Sequence, residues 1–194
     1  LPEASKIAPE LAQNLDESTS IQEKAAHRMR AIIKGLRQYS RKDRAEPEVV
    51  NLRDIIENTL AISSTRIKPV PVILTLAGGP EYVSIFPGKV SQVISNLVIN
   101  AADACRDSSE PSVLIGSNTI DQELVIFVTD NGPGIPTDIE PKIFDPFFTT
   151  KDVGKGTGLG LALCKKFAQE MGGDLMLESN PGATTFMLKL PIPK

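Results

Sequence analysis

The sequence predicts an α+β fold, a two-layer sandwich with helices on one face of a mixed sheet, preceded by one long helix. Helical and strand-like runs alternate irregularly along the chain, without the strand–helix–strand repeat of a parallel sheet, so the helices gather on one side. At about 150 residues per domain, a length of 194 residues allows one globular domain and an appendage. A 41% apolar content with 23% charged residues is enough to bury a core.

Between Glu17 and Arg44 the apolar residues Ile21, Ala25, Met29, Ile32, Leu36 and Tyr39 recur every three or four positions, which predicts a long amphipathic helix. Its apolar stripe is narrow and its other face is rich in Lys and Arg, so the seam calls for a partner helix, either from the first residues or from another chain, and a homodimer through this segment is the expectation in the second case. Residues 1–16 read as a loop or short helical turn. Pro47 disfavours helix at the residue before it and marks a boundary, dividing the chain into residues 1–45 and 46–194. Leu52, Ile55, Ile56, Leu60 and Ile62 give a second helix. Val70 to Leu76 reads as a strand, and Pro71 within it argues for a sheet edge. Phe86-Pro87-Gly88 opens a helix running to about Arg106, with proline in its first turn. Val113–Ile120 and Glu123–Thr129 form a hairpin across Asp121-Gln122. Residues 131–158 are dense in Gly, Pro and Thr and predict a long functional loop. A helix from Leu159 to Met171 stops at Gly172-Gly173, and strands at Asp174–Ser179 and Thr184–Leu190 close the chain.

Composition narrows the function. A balance of 24 acidic against 21 basic residues, net −3, argues against a nucleic-acid partner. No apolar run approaches the roughly 18–20 residues that cross a bilayer, so this segment makes no membrane contact; without an initiator methionine it reads as part of a longer protein. The two cysteines, Cys105 and Cys164, sit far apart in apolar helical contexts and suit buried thiols in a reducing compartment.

Three clusters carry chemistry. In the helix after Gly88, Asn96 and Asn100 share a face, with Gln92 one turn earlier, inside an otherwise apolar run. Their amides either bridge neighbouring backbone or offer hard oxygen ligands to Mg²⁺ and its waters. Asp130-Asn131-Gly132-Pro133-Gly134-Ile135 follows a hydrophobic strand; it is either a plain turn or a single acid acceptor beside glycines that admit a flat ligand. Gly154-Lys155-Gly156-Thr157-Gly158-Leu159-Gly160 runs into a helix, so its N–H groups and the helix dipole suit phosphate; a flexible linker is the alternative. It has neither the P-loop ending nor the preceding strand of a dinucleotide loop. Between these lies Phe144-Asp145-Pro146-Phe147-Phe148-Thr149-Thr150-Lys151, whose aromatics could anchor a lid.

Together these blocks resemble the histidine kinase branch of the superfamily of ATP-binding domains shared with type II topoisomerases, heat-shock chaperones and mismatch-repair ATPases (the GHKL superfamily). Gln92–Ala104 looks like its N box, Asp130–Ile135 its first glycine box, Ile143–Lys151 its F box and Gly154–Leu161 its second glycine box. The resemblance runs from about Val49 to the C-terminus and implies a Bergerat-type sandwich that takes ATP and Mg²⁺. Asp130 would accept from the adenine amino group, Gly132, Gly134 and Ile135 would shape the adenine slot, and Thr184 would lie near it. Asn100 would bind Mg²⁺ and Asn96 would contact phosphate or the metal's waters. Lys151 and the N–H groups from Gly156 through Thr157, Gly158 and Leu159 to Gly160 would hold phosphates under a lid that includes Phe147. Asp103 stands where many relatives carry a cation, which shifts the neutralisation of phosphate to Lys151 or Lys155. Ala183 replaces a usual glycine and implies a tight last turn.

By the same resemblance, residues 17–44 look like the second helix of a dimerisation and phosphotransfer hairpin. The family's acceptor histidine lies on the first helix; the sole histidine here, His27, does not match it, so no catalytic acceptor is expected in this chain. The implied function is the catalytic core of a two-component sensor kinase in the cytoplasm, with a response-regulator receiver domain as partner and a fragment unable to phosphorylate itself. A regulatory nucleotide-binding module without turnover and an anti-sigma-type serine kinase are the rivals.

Overall fold

The computed structural model describes residues 46–68, 70–152 and 156–192, together with Thr19, Gln22, Ala25, Ala26, Met29, Arg30 and Ile33, which are all helical. The rest of the helix expected over Glu17–Arg44, with His27, lies outside the described residues, as does Lys155.

In chain order the elements are β1 (Glu48–Asn51), α1 (Leu52–Ile67), β2 (Val72–Gly78), β3 (Tyr82–Ile85), α2 (Pro87–Cys105), β4 (Val113–Ile120) and β5 (Glu123–Asp130). A 3₁₀ turn at Glu140–Lys142, α3 (Gly160–Glu170), β6 (Asp174–Asn180) and β7 (Ala183–Pro191) complete the set. Five strands form one sheet in the order β2-β4-β5-β7-β6, in which only β2 and β4 run parallel. The α+β class and the mixed sheet are as the sequence predicts.

Local chemistry accounts for the joints. The β4–β5 hairpin closes through Asp121 and Gln122 at φ 51° and 67°, the left-handed pair that matches strand twist in a two-residue loop. The β6–β7 turn is equally short, with Asn180 paired to Ala183 across Pro181-Gly182. Asn51 caps α1 by accepting from the Asp54 N–H at 3.3 Å. α3 ends in a Schellman arrangement: Gly173 N–H donates to Ala168 O at 2.9 Å and Gly172 N–H to Gln169 O at 3.0 Å.

Two expectations need correction. β2 starts after Pro71 rather than containing it; the strand does lie at the sheet edge, and the Pro71 carbonyl accepts from Val113 N–H at 3.0 Å. The proline thus extends the β2–β4 pairing with its acceptor while needing no donor. In addition, β1 and β3 form a separate antiparallel pair, Val50 opposite Val83, that the sequence reading did not include.

α2 is the hub. Its buried residues Val90, Val93, Ile94, Leu97, Val98, Ala101, Ala102 and Cys105 join the core with Ile115 of β4, Ile126 of β5 and Leu188 of β7. Ser63 and Ser95 hydroxyls meet at 3.0 Å between α1 and α2, and Lys89 reaches Glu170 at 2.8 Å, tying the start of α2 to the end of α3. Both cysteines are free and buried; burial raises the Cys105 thiol and pushes Cys164 up to about 12, leaving little reactive thiolate. No helix among the described residues is long and apolar enough to cross a membrane.

Candidate functional site

Because α2 buries one face, its remaining stripe of Gln92, Asn96, Asn100 and Asp103, spaced four, four and three residues apart, looks out at a single level of the molecule. α3 begins directly opposite. The carbonyl of Gly160 accepts from Asn96 Nδ2 at 3.4 Å, and the Cα of Gly160 is close enough to both asparagines that an added methyl group would stand about 4 Å from each amide. The α3 N-terminus, with no acidic residue in its first turn, therefore faces the asparagine stripe.

A cleft of about 560 Å³ opens there, within the size range of small-molecule sites. Asn96 and Asn100 line one part of it, Asp130, Gly134, Ile135 and Thr184 another, and Thr149, Lys151, Gly156, Thr157, Gly158 and Gly160 close the side between them. The polar groups that the sequence singled out at positions 100 and 130 thus share one cavity, although they arise from different layers.

The floor near Asp130 is set by sheet register. Asp130 ends β5 and pairs directly with Thr184 of β7; both are 4% exposed. One Asp130 oxygen accepts from Gly132 N–H at 2.9 Å. Burial nevertheless dominates and lifts its carboxyl from 3.8 to about 6. The following turn is held by Ile135 N–H donating to Ser179 Oγ at 2.8 Å. Gly134 sits at φ 85° with Asn180 O only 2.5 Å from where a Cβ would be, so only glycine fits.

At the other end, Lys151 Nζ donates to Asn100 Oδ1 at 3.2 Å and to Asp103 Oδ2 at 2.7 Å. Arg106 donates to the second Asp103 oxygen at 2.9 Å and to the Arg66 carbonyl at 3.5 Å. Asn96 is more committed: it bonds Gly160 O, Cys164 Sγ at 3.6 Å and Gln92 at 3.5 Å, so its amide serves as a bridge between α2 and α3 as well as a wall of the cleft. The loop over the site is fastened by Phe147 N–H donating to Gly158 O at 2.8 Å. Both residues are left-handed, at φ 70° and 67°, and a side chain on Gly158 would collide with the Phe147 backbone.

Not every expected residue faces the cavity. Phe147 is 56% exposed and off the lining, while Phe148 points inward; the left-handed turn at Phe147 reverses the order of the two rings. Gly132 and Leu159 are also off the lining, the first donating its N–H to Asp130 and the second buried, and Asp103 meets the site through Lys151. Arg66 and Phe186 line the cleft without having been anticipated, and Phe148, expected only among the lid-anchoring aromatics, lines it as well. A cation at the end of α1 had no local pattern to flag it, whereas the two-residue spacing of Thr184 and Phe186 in a strand puts both on one face and could have found Phe186.

A family model described as Histidine kinase-, DNA gyrase B-, and HSP90-like ATPase matches residues 87–194. The chain belongs to this ATPase family. Among curated proteins, the sensor kinase CckA of Brucella abortus is 34% identical, over 86% of this chain and 19% of its own length. The signal transduction histidine-protein kinase AtoS of Escherichia coli is 34% identical over 83% of the chain and 26% of its own length. The chain therefore spans about a fifth to a quarter of these relatives. Among solved structures, the nucleotide-free catalytic domain of histidine kinase ThkA matches with a TM-score of 0.66 and 29% identity, over 76% of this chain and 96% of that one. ThkA in complex with the response regulator TrrA matches with a TM-score of 0.72 and 26% identity, over 89% of this chain and 50% of that one. The chain is homologous to the catalytic cores of sensor histidine kinases.

Proposed function

We propose that this chain is the Mg-ATP-binding catalytic part of a sensor histidine kinase, and that the cleft holds one nucleotide with its adenine at Asp130 and its phosphates between α2 and α3. The observation that carries this reading is the cavity shared by Asp130 and Asn100. A buried carboxylate at a strand end can accept from an adenine amino group while Thr184 adds a hydroxyl. Ile135, Phe148 and Phe186 supply apolar surface for a flat ring. The α3 N-terminus and the N–H groups around Gly156–Gly160 suit the phosphates, with Lys151 as a point charge.

The residues present fit a magnesium ion. Asn100 Oδ1 already holds a cation, the Lys151 ammonium, at 3.2 Å, and oxygen donors that leave positions for phosphate are what Mg²⁺ prefers. Asn100 would hold it, and Mg²⁺ when bound would neutralise charge developing on the phosphates. The chain's own part is positioning. Asp130 orients the base, Asn96 keeps the α3 N-terminus in line with α2, and the Phe147–Gly158 bond ties the covering loop to the phosphate loop.

The phosphoryl acceptor would be a histidine on a helix that pairs with residues 17–44, which also suit a homodimer seam, and the boundary with the catalytic domain would fall near residue 46. A receiver domain would then take the phosphoryl group. ATP supply puts the segment on the cytoplasmic side. The test is incubation with γ-labelled ATP and Mg²⁺, alone and with a separate fragment bearing an acceptor helix. Acid-labile label on the added fragment only is expected; label on His27 would refute the assignment of the acceptor, and acid-stable label would favour a serine kinase.

A further inference from the structure

Beside the phosphate end of the cleft, behind Lys151, stands a carboxylate where a phosphate site would be expected to avoid one. Asp103 is 28% exposed and is neutralised from two sides, by Lys151 at 2.7 Å and Arg106 at 2.9 Å. Lys151 is shared: its ammonium also takes Asn100 Oδ1. Asn100 and Asp103 lie three residues apart on one face of α2, so their oxygens make a two-oxygen seat for a cation, and Lys151 fills it. Among the described residues lining the cleft, Lys151 and Arg66 are the only cations.

These facts conflict once a nucleotide enters. Lys151 cannot remain in the seat and also meet the phosphates. If it turns to them, Asp103 loses its closest counter-ion and faces a strongly anionic ligand, which is repulsive. A divalent cation in the vacated seat turns that repulsion into attraction. We propose that Asp103 makes nucleotide binding conditional on a divalent metal, with Lys151 holding the metal's seat until it arrives. This rests on the Mg-nucleotide reading of the cleft and adds a specificity-determining residue to it. Asp103 rejects metal-free nucleotide and favours the metal complex.

Calorimetric titration of the chain with ATP, in Mg²⁺ and in excess chelator, tests it. The parent should bind Mg-ATP far more tightly than metal-free ATP. Asp103→Asn should bind metal-free ATP about tenfold more tightly than the parent and narrow the preference about tenfold, one charge pair's worth. Asp103→Glu, which keeps the charge, should retain the preference and controls for loss of fold. Lys151→Met should move the other way, weakening metal-free ATP more than Mg-ATP and widening the preference. Asp103→Asn strengthening both forms equally would overturn the proposal, because the ion pair would then only restrain Lys151; an unchanged preference would overturn it as well. A parent that binds neither form would instead bring down the nucleotide reading itself.

Discussion

The two ends of the cleft manage charge in opposite ways. At the sheet end one carboxylate, Asp130, is buried with a single backbone donor and no ion-pair partner among the described residues, and its carboxyl is raised to about 6. At the helix end Asp103, Lys151, Arg106 and Asn100 form a half-exposed network in which each charge has a partner. The first end is strained electrostatically but rigid, because strand register places Asp130 against Thr184. The second is relaxed and can rearrange, because flexible side chains make its contacts. A base needs a fixed acceptor; phosphates and a metal need counter-ions that can move.

The largest expected effect breaks the sheet end. The fold favours the protonated form of Asp130, so this group's contribution to stability is present at low pH and is lost as pH rises through about 6. Asp130→Asn should therefore stabilise the free protein at pH 7 by up to about 3 kcal/mol, the worth of a shift from 3.8 to about 6, while weakening ATP binding. Denaturant melts at pH 7 and pH 4 check this: the gain should vanish at the lower pH. Conversely, parent affinity for ATP should fall about tenfold per unit below pH 6, as the acceptor becomes protonated.

Gly158→Ala sharpens the contrast from the loop between the ends. A methyl group there meets the Phe147 backbone at a left-handed position, at a cost of about 1–3 kcal/mol, and should weaken Mg-ATP binding while leaving adenosine binding intact. The smallest effect is at the movable end: Lys151→Met should reduce Mg-ATP affinity about tenfold, with adenosine again unaffected. Loss of adenosine binding in either variant would show that the two ends are not separable.

Much of this was legible in the sequence, for physical reasons. The 3.6-residue period of α2, the stop at Gly172-Gly173 and the two strands around Asp121-Gln122 are local signals, and they located their elements to within a residue or two. β1 and β3 were not found. Each is four residues long, and β1 owes its form to a partner more than 30 residues away; the alternation of Tyr82 and Ser84 with apolar Val83 and Ile85, which the fold buries, was the one clue. In the site, the polar residues were readable because asparagines on an apolar helix and an acid at a strand end are out of place. The ion pair of Lys151 with Asp103 spans 48 positions and has no sequence signature. Nor does the inward turn of Phe148 in place of Phe147, which depends on one backbone angle.

The central claim is that Asp130 and Asn100 grip opposite ends of one Mg-nucleotide. Titration of ATP with and without Mg²⁺ into the parent, Asp130→Ala and Asn100→Ala tests it most directly. Asp130→Ala should lose about 100-fold in affinity in both conditions, and Asn100→Ala should lose only the part that Mg²⁺ adds. Mg-ATP binding at parental strength by both variants would contradict it.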